Sequence, residues 1–115
     1  LKGRKEIKAL LFISGKKDNF IAGADLEKFL IVFKDKSAAQ ELLEAGRKTF
    51  RKIGSLPFPT IALIHGSCVG GGLEFALFCN YQLVSDHPKT LLSFPETSIG
   101  IIPGWGGTQT APRLI

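Results

Sequence analysis

The chain has no methionine, one tryptophan, one tyrosine and two cysteines in 115 residues. Two cysteines give no disulfide framework of the kind that staples small secreted domains, and neither has the spacing of a zinc ligand set. Cys68 and Cys79 both stand in apolar surroundings, which predicts buried, reduced thiols. No apolar run reaches the ~18 residues that a transmembrane helix requires, and no signal-peptide pattern opens the chain. Acidic residues are outnumbered, 10 against 15 basic ones, for a net charge of +5. The excess includes Lys2, Arg4, Lys5 and Lys8 and the pair Lys16 and Lys17. A basic surface attracts nucleic acid, anionic membrane or a phosphorylated small molecule. No nucleic-acid motif accompanies these lysines, so the simplest reading is a solvated face. Neither nucleic acid nor an integral membrane segment is expected. The length allows one domain at most. A polar start at Leu1 and an uncapped end at Pro112-Arg113-Leu114-Ile115 read as a piece of a longer chain.

What the chain does have is a series of short apolar runs punctuated by glycine and proline. Residues 9–13 (ALLFI) predict a buried strand, followed by a turn at 15–19. Residues 20–25 are apolar with a glycine inside, a sign of close backbone approach or a bulge. Leu26, Phe29, Leu30 and Phe33 fall on one stripe of a short amphipathic helix. Ser37 and Gln40 have capping-box spacing and predict the start of a longer helix ending near Gly54, before Pro57 and Pro59. Residues 60–64 predict a second buried strand, 66–72 a glycine-rich loop, and 73–79 a helix. Strands are expected at 81–85 and 91–94, a long loop at 95–107, and a helix from Thr108. No sequence repeat is visible. Strands alternating with helices predict an α/β fold with a mostly parallel sheet.

The loop 66–72 raises the functional question. A strand, a glycine loop and a helix N-terminus make an anion site. A phosphate-binding P-loop requires Lys and Ser/Thr where Gly72 and Leu73 stand. The dinucleotide fingerprint requires a third small residue where Phe75 stands. The nucleophile elbow G-x-S-x-G is absent. His65 is too close to Ser67 and Cys68 to make a hydrolytic pair with them, which leaves only a partner from elsewhere in the chain, and it reads first as a structural strand-end residue. What remains is an oxyanion hole, in which bare backbone N–H groups hold an oxygen that gains charge. One N–H would come from 70–72. The small segment Ala22-Gly23-Ala24 is a candidate for the second. Tight turns alone would also account for either loop.

Two carboxylates flank this arrangement. Glu74 lies in the first turn of the helix, where the dipole by itself is reason enough for an acid. Glu96 follows Phe94-Pro95. Both fall after strands, where parallel α/β units gather their functional groups. Paired carboxylates with different proton affinities can deprotonate water and deliver a proton.

Three ordered blocks resemble the crotonase (enoyl-CoA hydratase/isomerase) superfamily: IAGADL at 21–26, HG…GGGLEFA at 65–76, and FPETSIGIIPGWGGTQ at 94–109. The stretch from Pro95 onward is most similar to the hydratase part of multifunctional fatty-oxidation alpha subunits. The resemblance implies a fold of repeated ββα units, with residues 1–115 forming part of one such domain. It implies acyl-CoA thioester substrates and no cofactor, coenzyme A being part of the substrate. It assigns the oxyanion hole to the N–H groups of Ala24 and Gly71. Substrate contacts would run along Ala22, Gly23, Ala24, Asp25 and Leu26 and include Gly72 and Gly104. Ala24-Asp25-Leu26 would lie along the coenzyme A moiety. Glu74 would activate water for attack at the β-carbon, and Glu96 would supply the α-proton. Gly104, at a helix start, would help position the pair. Enoyl isomerisation, with Glu96 moving the proton between carbons, is the alternative, as is a non-catalytic acyl-CoA-binding member. An oligomer is implied for the full-length protein, in the cytoplasm of a bacterium or the mitochondrial matrix of a eukaryote. The chain departs from the family where lysines are common, carrying Glu27 and then Lys28.

Overall fold

A computed structural model of the chain describes Leu1 and residues 3–114, with the side chains of all of these except Leu26 and Lys28. The elements run β1 (Leu10–Ile13), β2 (Asn19–Ile21), α1 (Leu26–Val32), α2 (Lys36–Gly54), β3 (Thr60–Ile64), β4 (Ser67–Val69), α3 (Gly71–Leu77), β5 (Tyr81–Val84), β6 (Leu91–Ser93), a 3-10 turn (Pro95–Ile99) and α4 (Gly107–Leu114). The odd strands form one parallel sheet, β1-β3-β5, and the even strands another, β2-β4-β6. Each pass of the chain therefore places one strand in each sheet and returns through helical structure, as parallel pairing requires. This makes three ββα units. No sequence repeat marks them, because strands of three to five residues carry too few positions for a shared pattern.

The core lies where Phe20, Ala62, Ile64, Cys68, Leu73 and Ala76 meet. β3 is central in its sheet and alternates buried and half-buried residues along its length. Phe75 packs edge-on against Phe12, ring centres 4.9 Å apart, and against Phe50, 5.7 Å apart. At the start of β3 the buried Thr60 donates its N–H and hydroxyl to Asn80 Oδ1, both at 2.8 Å, and accepts the Asn80 N–H at 3.0 Å. This network joins the start of β3 to the start of β5 and satisfies a polar group that burial would otherwise make costly. Cys68 and Cys79 are buried free thiols, as their surroundings suggested. His65 Nε2 lies 2.7 Å from the Lys16 carbonyl oxygen, which ties the end of β3 to the turn after β1.

Several expectations are corrected. β1 is not buried on both faces: Leu11 and Ile13 are exposed, and register aligns them with Ile61 and Tyr81 and with Leu63 and Leu83 on one apolar outer face. An unbroken apolar run does not say whether both faces are covered. β2 and β4 lie where a turn with an apolar stretch and a glycine loop were expected, each only three residues long. α2 starts at Lys36, not after Ser37, because Asp35 is the N-cap and its Oδ1 accepts the N–H groups of Ser37 and Ala38 at 2.8 and 3.3 Å. An acidic cap just upstream outcompetes the serine. α3 begins two residues earlier than expected, at Gly71, and α4 one residue earlier, at Gly107. The expected stripe does not face the core as a unit: Phe29 of α1 and Phe33 just after it stack with ring centres 4.0 Å apart and line a cavity, whereas Leu30 is exposed. Among the described residues no helix is long and apolar enough to cross a membrane.

Candidate active site

Three segments converge because they leave neighbouring parallel strands at the same end. Residues 22–24 follow β2, residues 70–74 follow β4, and residues 94–96 follow β6. Gly70 sits between β4 and α3 with φ +55°, a left-handed value that disfavours any side chain. Its N–H donates to the Ser93 carbonyl at 3.0 Å, which ties the glycine loop to the end of β6. A Cβ at Gly70 would stand 3.0 Å from Glu96 Oε1. Gly71 opens α3, so its N–H has no partner inside the helix. Gly72 is buried on β2, where a Cβ would come 2.7 Å from Ile21 Cβ. The three glycines thus answer three different demands: backbone conformation, an open N–H, and close packing of helix on sheet.

A cavity of about 620 Å³ opens over this end of the sheet. Ala22, Gly23 and Ala24 form one side, and Gly70, Gly71 and Glu96 another. Phe29, Phe33, Leu43, Ile99 and Ile102 make much of the remaining wall apolar, with Arg47 as its basic member. The size and mixed lining suit a small-molecule site.

The two carboxylates meet different surroundings. Glu74 is only 2% exposed and lies behind the cavity wall. Its Oε1 accepts the backbone N–H groups of Trp105 and Gly107, each at 2.8 Å. Glu96 is 8% exposed, lines the cavity, and has a buried Oε2 with no hydrogen-bond partner. Burial pushes the Glu96 carboxyl above the usual carboxylate range, and the negative charge of Glu74 adds to this, against a hydrogen bond from its own backbone N–H. A raised carboxyl holds its proton to a higher pH than an ordinary one, which suits a proton donor.

Trp105 closes the arrangement. Its ring stands against Gly71, where a Cβ would come 2.7 Å from Cε3, and against Gly46 of α2, where a Cβ would come 2.8 Å from Cε2. Phe50 meets the indole edge-on, ring centres 5.6 Å apart. Arg47 Nε donates to the Gly104 carbonyl at 2.8 Å and fastens the same loop to α2.

The family model described as enoyl-CoA hydratase/isomerase matches residues 1–115, the whole chain. The chain belongs to the enoyl-CoA hydratase/isomerase family. It is 53% identical over 109 residues to a fatty acid oxidation complex subunit alpha from Aliivibrio fischeri, covering 95% of this chain and 16% of that protein. An enoyl-CoA hydratase from Bacillus anthracis superposes with TM-score 0.89 and 32% identity, over 99% of this chain and 43% of its own. An enoyl-CoA hydratase from Thermoplasma volcanium gives TM-score 0.85 and 31% identity, over 97% and 43%. The chain therefore has the crotonase fold and spans less than half the length of these relatives.

As a member of this family the chain brings Ala22, Gly23, Ala24, Gly71, Glu96 and Gly104 to one cavity. Asp25 and Gly72 do not line it, and Glu74 stands one layer deeper. Asp25 immediately precedes α1, its carbonyl accepting the Phe29 N–H at 2.9 Å. The side chains of Leu26 and Lys28 lie outside the described residues. Gly104 does not open a helix: α4 starts at Gly107, and Gly104 contributes its carbonyl to Arg47. The N–H groups that hold Glu74 belong to Trp105 and Gly107, which sequence reasoning did not single out. Gly46, a glycine inside a long helix, was the available signal for a close approach there.

Proposed function

We propose that this chain carries the acid–base and oxyanion groups of an enoyl-CoA hydratase, which adds water across the 2,3 double bond of a 2-enoyl-CoA thioester. The observation that carries the reading is the pair of buried glutamates in unlike environments beside an open α3 N-terminus. The thioester oxygen would rest on the N–H groups of Ala24 and Gly71. With Glu74 Oε1 engaged by two backbone donors, Oε2 is left to take a proton from water. The water oxygen bonds to the β-carbon, the π electrons move toward the thioester oxygen, and the oxyanion donors hold the resulting enolate. Glu96, protonated at the outset, gives its proton to the α-carbon. Net addition of water leaves one proton on Glu74 and none on Glu96, and transfer between the two resets the site. No cofactor beyond the substrate's own coenzyme A is needed. The Aliivibrio fischeri relative supports a place in a multifunctional fatty-oxidation protein, and oligomeric assembly with it.

Glu74→Gln and Glu96→Gln in the full-length protein should each lose hydration of crotonyl-CoA by about two orders of magnitude or more. Near-normal rates in a folded variant would overturn the reading. A second reading has its own support: only Glu96 of the pair lines the cavity. That arrangement suits double-bond isomerisation of a 3-enoyl-CoA by one carboxyl. Isomerisation that survives Glu74→Gln but not Glu96→Gln would favour it.

A further inference from the structure

Trp105 touches both halves of the proposed machinery from opposite directions. Its backbone N–H donates to Glu74 Oε1 at 2.8 Å, and its ring stands against the Cα of Gly71, the first residue of α3. The other wall of the slot is Gly46, in the interior of α2, where a Cβ would overlap the five-membered ring of the indole. A glycine in mid-helix weakens the helix relative to alanine. The indole supplies the physical reason for that glycine. Next along α2, Arg47 holds the Gly104 carbonyl, so α2 is fastened to this loop beside the ring. The start of α3 cannot move toward α2 while the ring is present, because interiors packed this closely do not compress.

We propose that Trp105 is a positioning residue: its indole, wedged between Gly46 and Gly71, sets the start of α3 and with it the Gly71 N–H and the Glu74 carboxylate. The proposal rests on the reading of the site as an enoyl-CoA hydratase. Without the ring, the first turn of α3 gains room to shift. A displacement of about 1 Å at groups that stabilise developing charge costs on the order of a hundredfold in rate. Gly46 does not line the cavity, so a change there reaches the reaction through the indole.

The test is a double-mutant cycle in the full-length protein, read as kcat and KM for crotonyl-CoA and for a 3-enoyl-CoA. Trp105→Ala should lower kcat by about ten- to a hundredfold with KM within about threefold, the pattern of lost positioning and not of a lost binding contact. Trp105→Phe should recover part of the rate. Gly46→Ala should lower kcat in the unmodified protein and add nothing in the Trp105→Ala background, since the ring it displaces is already gone. If Trp105→Ala does not fold, Trp105→Phe and Gly46→Ala carry the test through their kcat and KM. A Gly46→Ala loss of equal size in both backgrounds, or a raised KM at unchanged kcat, overturns the proposal while leaving the reading of the site intact. Absence of turnover of both substrates by the unmodified protein overturns that reading and this proposal together.

Discussion

Glu74 Oε1 and the backbone nitrogen of Trp105 lie 2.8 Å apart across 31 residues of sequence. With the Gly107 N–H on the same oxygen, one buried carboxylate becomes the anchor of the loop that leads into α4. Replacing Glu74 by Gln keeps an acceptor oxygen, whereas Glu74→Ala strands two N–H groups. The alanine variant should be less stable than the glutamine variant by about 2 kcal/mol or more. Urea unfolding of both variants checks this, and equal midpoints would show the anchor to be dispensable.

Glu96 gives a pH dependence with a definite sign. Its carboxyl is raised, so the folded protein binds a proton that the unfolded chain releases once pH exceeds the ordinary carboxylate range. Stability from this group is full below that range and falls as pH rises through the raised value. Glu96→Gln should remove the decline, and its unfolding midpoint should gain on the unmodified protein as pH rises above the ordinary carboxylate range. Hydration should show a matching fall in kcat on the alkaline side if the protonated Glu96 is the donor.

Gly70→Ala tests the turn. A side chain at φ +55°, ψ −129° costs on the order of 1–3 kcal/mol, and its Cβ would press on Glu96 Oε1. Loss of stability together with a change in the alkaline limb of the rate profile is expected. An unchanged limb would separate the glycine from Glu96.

Asp35→Ala should destabilise by about 1 kcal/mol through loss of the α2 cap, and Ser37→Ala should cost much less. Chemical denaturation of the two variants ranks them, and the reverse ranking would restore the serine as cap.

Cys68 and Cys79 are both pushed up to about 11 by burial, opposed at Cys79 by a hydrogen bond with Thr60. Neither should react with a thiol reagent at neutral pH in the folded protein, and both should react on unfolding. Rapid labelling of either cysteine under native conditions would contradict the buried assignment.

How much of this was legible varied by element. β3 and α2 announced themselves through an apolar run and a long amphipathic stripe. The glycine loop and both glutamates stood out because no nucleotide fingerprint fitted around Leu73 and Phe75. β2 and β4 did not, because three residues are too few to show a period, and their identity comes from pairing with β6 and with each other. The consequence was a misplaced origin for the loop, which leaves β4 and not β3. The fit of Trp105 between Gly46 and Gly71 was out of reach for another reason. It joins three segments far apart in the chain, and no local pattern in one sequence encodes such a contact.

Trp105 is the one tryptophan of the chain, and its indole stands in the cavity wall with Gly71 against one edge. In this chain, emission excited at the red edge of the absorption band therefore originates beside Gly71 and nowhere else. A thioester settling beside Gly71 would change the brightness or colour of that single emitter, so occupancy could be followed by eye of the instrument, without a label and without turnover.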